Sequence, residues 1–93
     1  MSDTEKQFWA LVDVFIDNAN QQAGEHEAAL ISDALLYAAA RFNAYVAAAD
    51  TPDRAEFKAE LSDIRTLLME QFEVMLDSNL QDYLENYKVY LER

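Results

Sequence analysis

Apolar residues recur every three or four positions over three long segments of the chain, and this spacing is typical of amphipathic helices. The first helix is predicted to begin near Thr4, which has the spacing of a capping box with Gln7; Ser2 and Glu5 offer an alternative start. Gly24 is predicted to end this helix as a left-handed C-cap. The core positions of the segment are Phe8, Val12, Phe15, Ala19 and Ala23, widened by Trp9, Leu11 and Ile16.

The second helix is apolar on every side. It is predicted to start between His26 and Ser32 and to end by Asp50. Between residues 34 and 49 only Arg41 and Asn43 are polar. A helix of this kind must be covered on more than one face.

The third helix is predicted to begin with Thr51 as its N-cap and Pro52 in its first turn. Asp77, Ser78 and Asn79 interrupt the strong helix formers, so a kink or restart there and one continuous rod are both consistent with the pattern. The apolar stripe of this helix consists of Phe57, Leu61, Ile64, Leu68, Phe72, Leu76, Leu80, Tyr83, Tyr87 and Leu91, widened by Met75.

The chain has 93 residues with one glycine and one proline, so it offers few turn signals. We therefore predict a single all-α domain over residues 1–93. Its architecture would be a bundle of three long helices, the last kinked or split into a fourth near Ser78. More than roughly 70% of the residues would be helical.

The formal net charge of -11 disfavours binding to nucleic acid or to anionic lipid. The chain has no cysteine, which excludes a disulfide framework and a thiolate metal site. Its first residues show no signal-peptide pattern, and no stretch is apolar enough to span a bilayer. We expect a cytoplasmic protein that does not bind membranes.

The sequence shows no set of catalytic or metal-ligating residues. His26 is the single histidine, and Glu25 and Glu27 would point about 100° away from it on either side of a helix. Asp13 and Asp17 lie one helical turn apart, as in many solvated faces and in some carboxylate pairs. We predict no metal and no cofactor, and the sequence favours a non-enzymatic role over catalysis without excluding an enzyme.

Arg41 and Asn43 are the polar exceptions in the apolar second helix. A buried arginine needs an acidic partner, for which Asp13 and Asp17 are candidates. The alternative is a small site for an anion or carboxylate, which would consist of Arg41, Asn43, Asp17, Asn20 and Tyr37, with Tyr45 as a further candidate.

The stretch from Thr66 to Tyr87 contains five acidic residues and no lysine or arginine. Glu70, Glu73 and Asp77 share one helical face. This face is either solvated or a docking surface for a basic partner protein.

The second helix also predicts self-association, because two neighbouring helices enclose only part of a helix that is apolar all round. The seam of a two-fold homodimer would consist of the small residues Ala40, Ala44, Ala47 and Ala48. Alternatively, a fourth helix carrying Tyr83, Tyr87 and Tyr90 folds back and covers the same strip.

Two blocks, FWALVDVFIDNANQQ from Phe8 and ALLYAAARFNAYVAA from Ala34, resemble a family of small bacterial proteins catalogued as a domain of unknown function. The resemblance extends over nearly the whole chain and implies a cytoplasmic bacterial protein without an assigned activity. We predict a protein-interaction or regulatory module. The alternative is a ligand-binding or enzymatic helical bundle with a polar site around Arg41 and Asn43.

Overall fold

The computed structural model describes residues 1–91, of which 86% are helical and none is in a strand. The helices are α1 (Asp3–Gln22), α2 (Ala28–Ala49), α3 (Arg54–Glu85) and the short α4 (Tyr87–Tyr90). The prediction of an all-α protein with three long helices is confirmed. The chain divides into two units, Met1–Ala44 and Tyr45–Arg93, and each is described by itself.

Helix α1 begins at the alternative of the two predicted caps. The Ser2 hydroxyl accepts a hydrogen bond from the Glu5 backbone N–H at 3.1 Å. Asp3 and Glu5 place negative charge in the first turn, where the helix dipole favours it. The helix thus begins one residue before Thr4, and of the two predicted caps the structure uses Ser2 and not Thr4.

The turn after α1 does not use the left-handed conformation predicted for Gly24. The C-cap is Ala23, which is right-handed and donates its N–H to the Asn20 carbonyl at 3.1 Å. The backbone N–H groups of Glu25 and His26 both donate to the Gln22 carbonyl at 3.0 Å. Gly24 has no positive φ, and a Cβ atom there would meet nothing within 4 Å. The chain therefore leaves α1 without any residue in the left-handed conformation.

Different side chains cap the end of α2 and the start of α3. The Thr51 hydroxyl donates to the Ala48 carbonyl at 2.9 Å, which satisfies a carbonyl at the end of α2. The Asp53 carboxylate accepts from the Glu56 N–H at 2.9 Å and caps α3. The predicted cap at Thr51, with Pro52 as the first helical residue, is therefore wrong by two positions. Helix α2 starts at Ala28, inside the predicted interval, and ends at Ala49 as predicted.

Helix α3 continues without a break through Asp77, Ser78 and Asn79. The Asn79 side-chain amide donates to the Met75 carbonyl at 2.8 Å, so this polar residue bonds within the helix. The break falls at Asn86 instead of Ser78, and the fourth helix is a single turn.

No residue among positions 1–91 is buried. Within the described part of the chain, twenty-seven large apolar side chains are each at least 40% exposed. The least exposed apolar residues nevertheless lie mostly on the predicted stripes, since Val12, Ala19, Phe57, Ile64 and Leu68 are half-buried. The half-buried positions therefore follow the predicted amphipathic pattern, although the stripes are largely open to solvent.

Candidate functional site

A groove of about 570 Å³ lies within the first unit, where the end of α1 meets the start of α2. Apolar side chains form most of its surface, and Asn18, Gln22 and His26 add polar atoms. The apolar part of the lining consists of Phe15, Ala19, Leu30, Ile31, Ala34 and Leu35.

The groove can accept an apolar group but holds no catalytic pair. His26 is the single ionisable residue among its lining residues, which include no carboxylate and no hydroxyl. The Asn18 amide already donates to the Val14 carbonyl at 3.3 Å. Acid–base or nucleophilic chemistry needs at least a second such group beside the first.

The sequence pattern placed Phe15 and Ala19 on the core stripe of the first helix and predicted no metal site at His26, but it did not reveal the groove. The sequence feature that could have revealed the groove is the presence of apolar residues on both sides of the turn that contains Gly24. Phe15 and Ala19 precede Gly24, whereas Leu30 and Ile31 follow it. Two helices that reverse direction at such a turn bring these positions together, as the groove lining shows.

The structure does not enclose the polar residues predicted to form a site around Arg41. Arg41, Asp17 and Asn20 are exposed, and Tyr37 is 70% exposed. The Asn43 amide donates to the Ala39 carbonyl of its own helix at 2.6 Å. None of these five residues lines the groove. The expectation that Arg41 is buried is wrong for the single chain, because an apolar composition around α2 does not by itself surround that helix with neighbours.

The two predicted interaction surfaces are accessible. In the alanine seam, Ala40, Ala44 and Ala48 are exposed and Ala47 is half-buried. On α3, the acidic residues Glu70, Glu73 and Asp77 are all exposed, as both a solvated face and a docking surface require. Binding at either surface stays a prediction.

The C-terminal end of α3 carries a cluster organised around Asp82, which sequence reasoning missed. The Asn86 amide donates to the Asp82 carboxylate at 2.9 Å and to its backbone carbonyl at 3.1 Å. The Tyr90 hydroxyl donates to the other carboxylate oxygen at 3.0 Å, and the rings of Tyr83 and Tyr90 lie 4.7 Å apart. The sequence analysis considered Tyr83 and Tyr90 only as part of a fourth helix. The four-residue spacing of Asp82, Asn86 and Tyr90 is the signal that would have identified the carboxylate as their partner.

The hydrogen bond to Asp82, followed by the negative charge of this carboxylate, raises the pKa of the Tyr90 phenol above its ordinary value of about 10. Since the protonated phenol is the form that donates, the interaction stabilises the fold below pH about 10 and is lost as pH rises through the folded-state pKa. We expect Asp82→Asn to lower this pKa toward its ordinary value in a tyrosine-labelled NMR titration. Asp77→Asn, a neutralised acid on the same helix, is the control and should leave it unchanged. An equal effect of both variants would contradict the assignment to Asp82.

Within residues 1–91, no three histidine or acidic side chains come close enough to hold a metal ion. None of the helices in that range has both the length and the apolar character needed to cross a membrane.

A family model described as "Protein of unknown function (DUF3144)" matches residues 8–84. The chain is also similar to a solved structure, the NMR structure of the protein NB7890A from Shewanella sp. The two chains are 29% identical with a TM-score of 0.75, over 89% of this chain and 88% of the other. No curated protein shows significant similarity to the chain.

Proposed function

The chain belongs to the DUF3144 family of proteins of unknown function, and we propose that it is a protein-interaction module that acts as a homodimer. The observation that carries this proposal is the absence of any buried residue at positions 1–91. A folded protein is stabilised chiefly by removing apolar surface from water. Within each of the two units the apolar stripes are open to solvent, and a second copy would cover them.

A second copy is the partner that best fits these features. An interface that a chain needs in order to be stable must be available whenever the chain is made, and a second copy meets this condition. Two-fold dimers are also the commonest oligomers. We place one part of the interface at the alanine seam of α2, because the small side chains of Ala40, Ala44, Ala47 and Ala48 allow another backbone to approach closely.

The alanine seam is tested by Ala44→Glu, which would place a charge where two copies meet. We expect light scattering to show a dimer for the wild type and a lower mass for the variant, because a buried unpaired carboxylate is costly. Gln21→Glu is the matched control, since it adds the same charge to the polar side of α1, where Gln21 is exposed. It should remain dimeric. A monomeric wild type would refute the homodimer, and a dimer unaffected by Ala44→Glu would refute this seam.

We further propose that the protein acts in the bacterial cytoplasm. The family resemblance and the similarity to a Shewanella protein support a bacterial origin. The net charge of -11 suits a protein that stays in solution and away from anionic surfaces.

A further inference from the structure

The apolar stripe of α3 is longer than either other long helix. Helix α3 has 32 residues and is about 48 Å long, whereas α1 and α2 have 20 and 22 residues and are about 30 and 33 Å long. The stripe runs from Phe57 to Tyr83, and Phe72, Met75 and Leu80 on it are 47%, 52% and 60% exposed. Among the described helices, only a second α3 has the length to cover the whole stripe.

We infer that α3 pairs with α3 of a second copy in antiparallel orientation. This inference rests on the proposed self-association, adds a second part of the interface on α3, and fixes the direction of the partner helix. The antiparallel arrangement is the one that a two-fold axis perpendicular to the helix produces.

The charges along α3 favour the antiparallel orientation. From Arg54 to Arg65 the helix carries three basic and three acidic residues, whereas from Thr66 to Glu85 it carries five acidic residues and no basic one. A parallel pair would set the two acidic segments side by side, where like charges repel. An antiparallel pair sets the C-terminal part of each acidic segment, with Asp77, Asp82 and Glu85, beside the segment from Arg54 to Arg65 that holds the basic side chains.

The apolar positions of two α3 helices also match when the helices lie antiparallel with residue 70 of each at the two-fold axis. This reversal places Phe57 opposite Tyr83, Ile64 opposite Leu76 and Leu68 opposite Phe72. All six positions lie on the predicted stripe, and Phe57, Ile64 and Leu68 are half-buried already in the single chain. A helix seam of this kind needs apolar side chains that face each other along its length.

The orientation is measurable because the chain contains no cysteine, so a single introduced cysteine is a unique attachment point. We choose the exposed positions Lys58 and Gln71 and attach a nitroxide spin label to Lys58→Cys or to Gln71→Cys. In the antiparallel dimer the two Lys58 positions are separated by about 36 Å along the helix axis, but the two Gln71 positions by only about 3 Å. In a parallel pair both separations would equal the spacing between the helices, about 8 to 10 Å.

Pulsed electron paramagnetic resonance on each labelled dimer should therefore give a long distance between the two labels for Lys58→Cys and a short one for Gln71→Cys. Light scattering first confirms that each variant is a dimer.

The outcomes separate the two proposals. Short distances at both positions in a dimer would show parallel helices, and long distances at both would show a dimer formed through another surface. Either result overturns the α3 pairing and leaves self-association standing. A wild type that is monomeric in light scattering overturns the proposed homodimer, and the α3 pairing with it.

Discussion

Replacing Leu68 with alanine is expected to destabilise the protein far more than the same change at its neighbour Leu67. Leu68 lies on the α3 stripe and is half-buried, whereas Leu67 points about 100° away and is 58% exposed. In the antiparallel dimer Leu68 lies opposite Phe72 of the second copy and loses its remaining contact with water.

The expected cost of Leu68→Ala is about 2 to 5 kcal/mol per chain, since the change removes a buried side chain and leaves a cavity. Both copies carry the change, so the dimer loses about twice that amount. Leu67→Ala should cost no more than about 0.5 kcal/mol, as for most surface substitutions. Denaturant unfolding of both variants at one fixed protein concentration measures the difference. Equal costs would place Leu68 outside the interface.

Dilution alone is expected to unfold the protein. Because no described side chain is buried within either unit, the proposed homodimer would form together with the helices, and the folded state would depend on protein concentration. Each tenfold dilution should weaken the assembly by about 1.4 kcal/mol of dimer. The melting temperature followed by circular dichroism should therefore fall steadily as the protein is diluted.

The dilution series needs only the wild-type chain, with the optical path lengthened as the protein is diluted. Light scattering at the highest concentration establishes the starting mass. A melting temperature that stays constant over a hundredfold dilution would show that one chain folds by itself and would contradict the homodimer.

The sequence predicted the helices more accurately than their ends. The three- and four-residue spacing is repeated many times in each segment, so single exceptions such as Ser78 do not change the outcome. A helix end depends on the competition between a few hydrogen-bonding side chains. Ser2 and Thr4 both fit the start of α1, and Thr51 and Asp53 both fit the start of α3; the spacing could not decide between them.

Predictions of burial depended on neighbours that the sequence does not specify. The composition of α2 predicts a helix that needs cover, but it does not say whether the cover lies in the same chain. Arg41 was expected inside a bundle for this reason and is exposed. The groove beside His26 was missed because its two walls come from different helices, and their meeting depends on the path of the turn.

Trp9 gives the protein an optical property of its own. It is the single tryptophan of the chain, is 54% exposed and meets the ring of Phe8 edge to face, with the ring centroids 4.9 Å apart. Indole emission shifts to shorter wavelength when the ring leaves water. The unlabelled protein therefore carries an intrinsic fluorophore at the start of α1. The wavelength of the Trp9 emission maximum reports whether that end of the helix is covered.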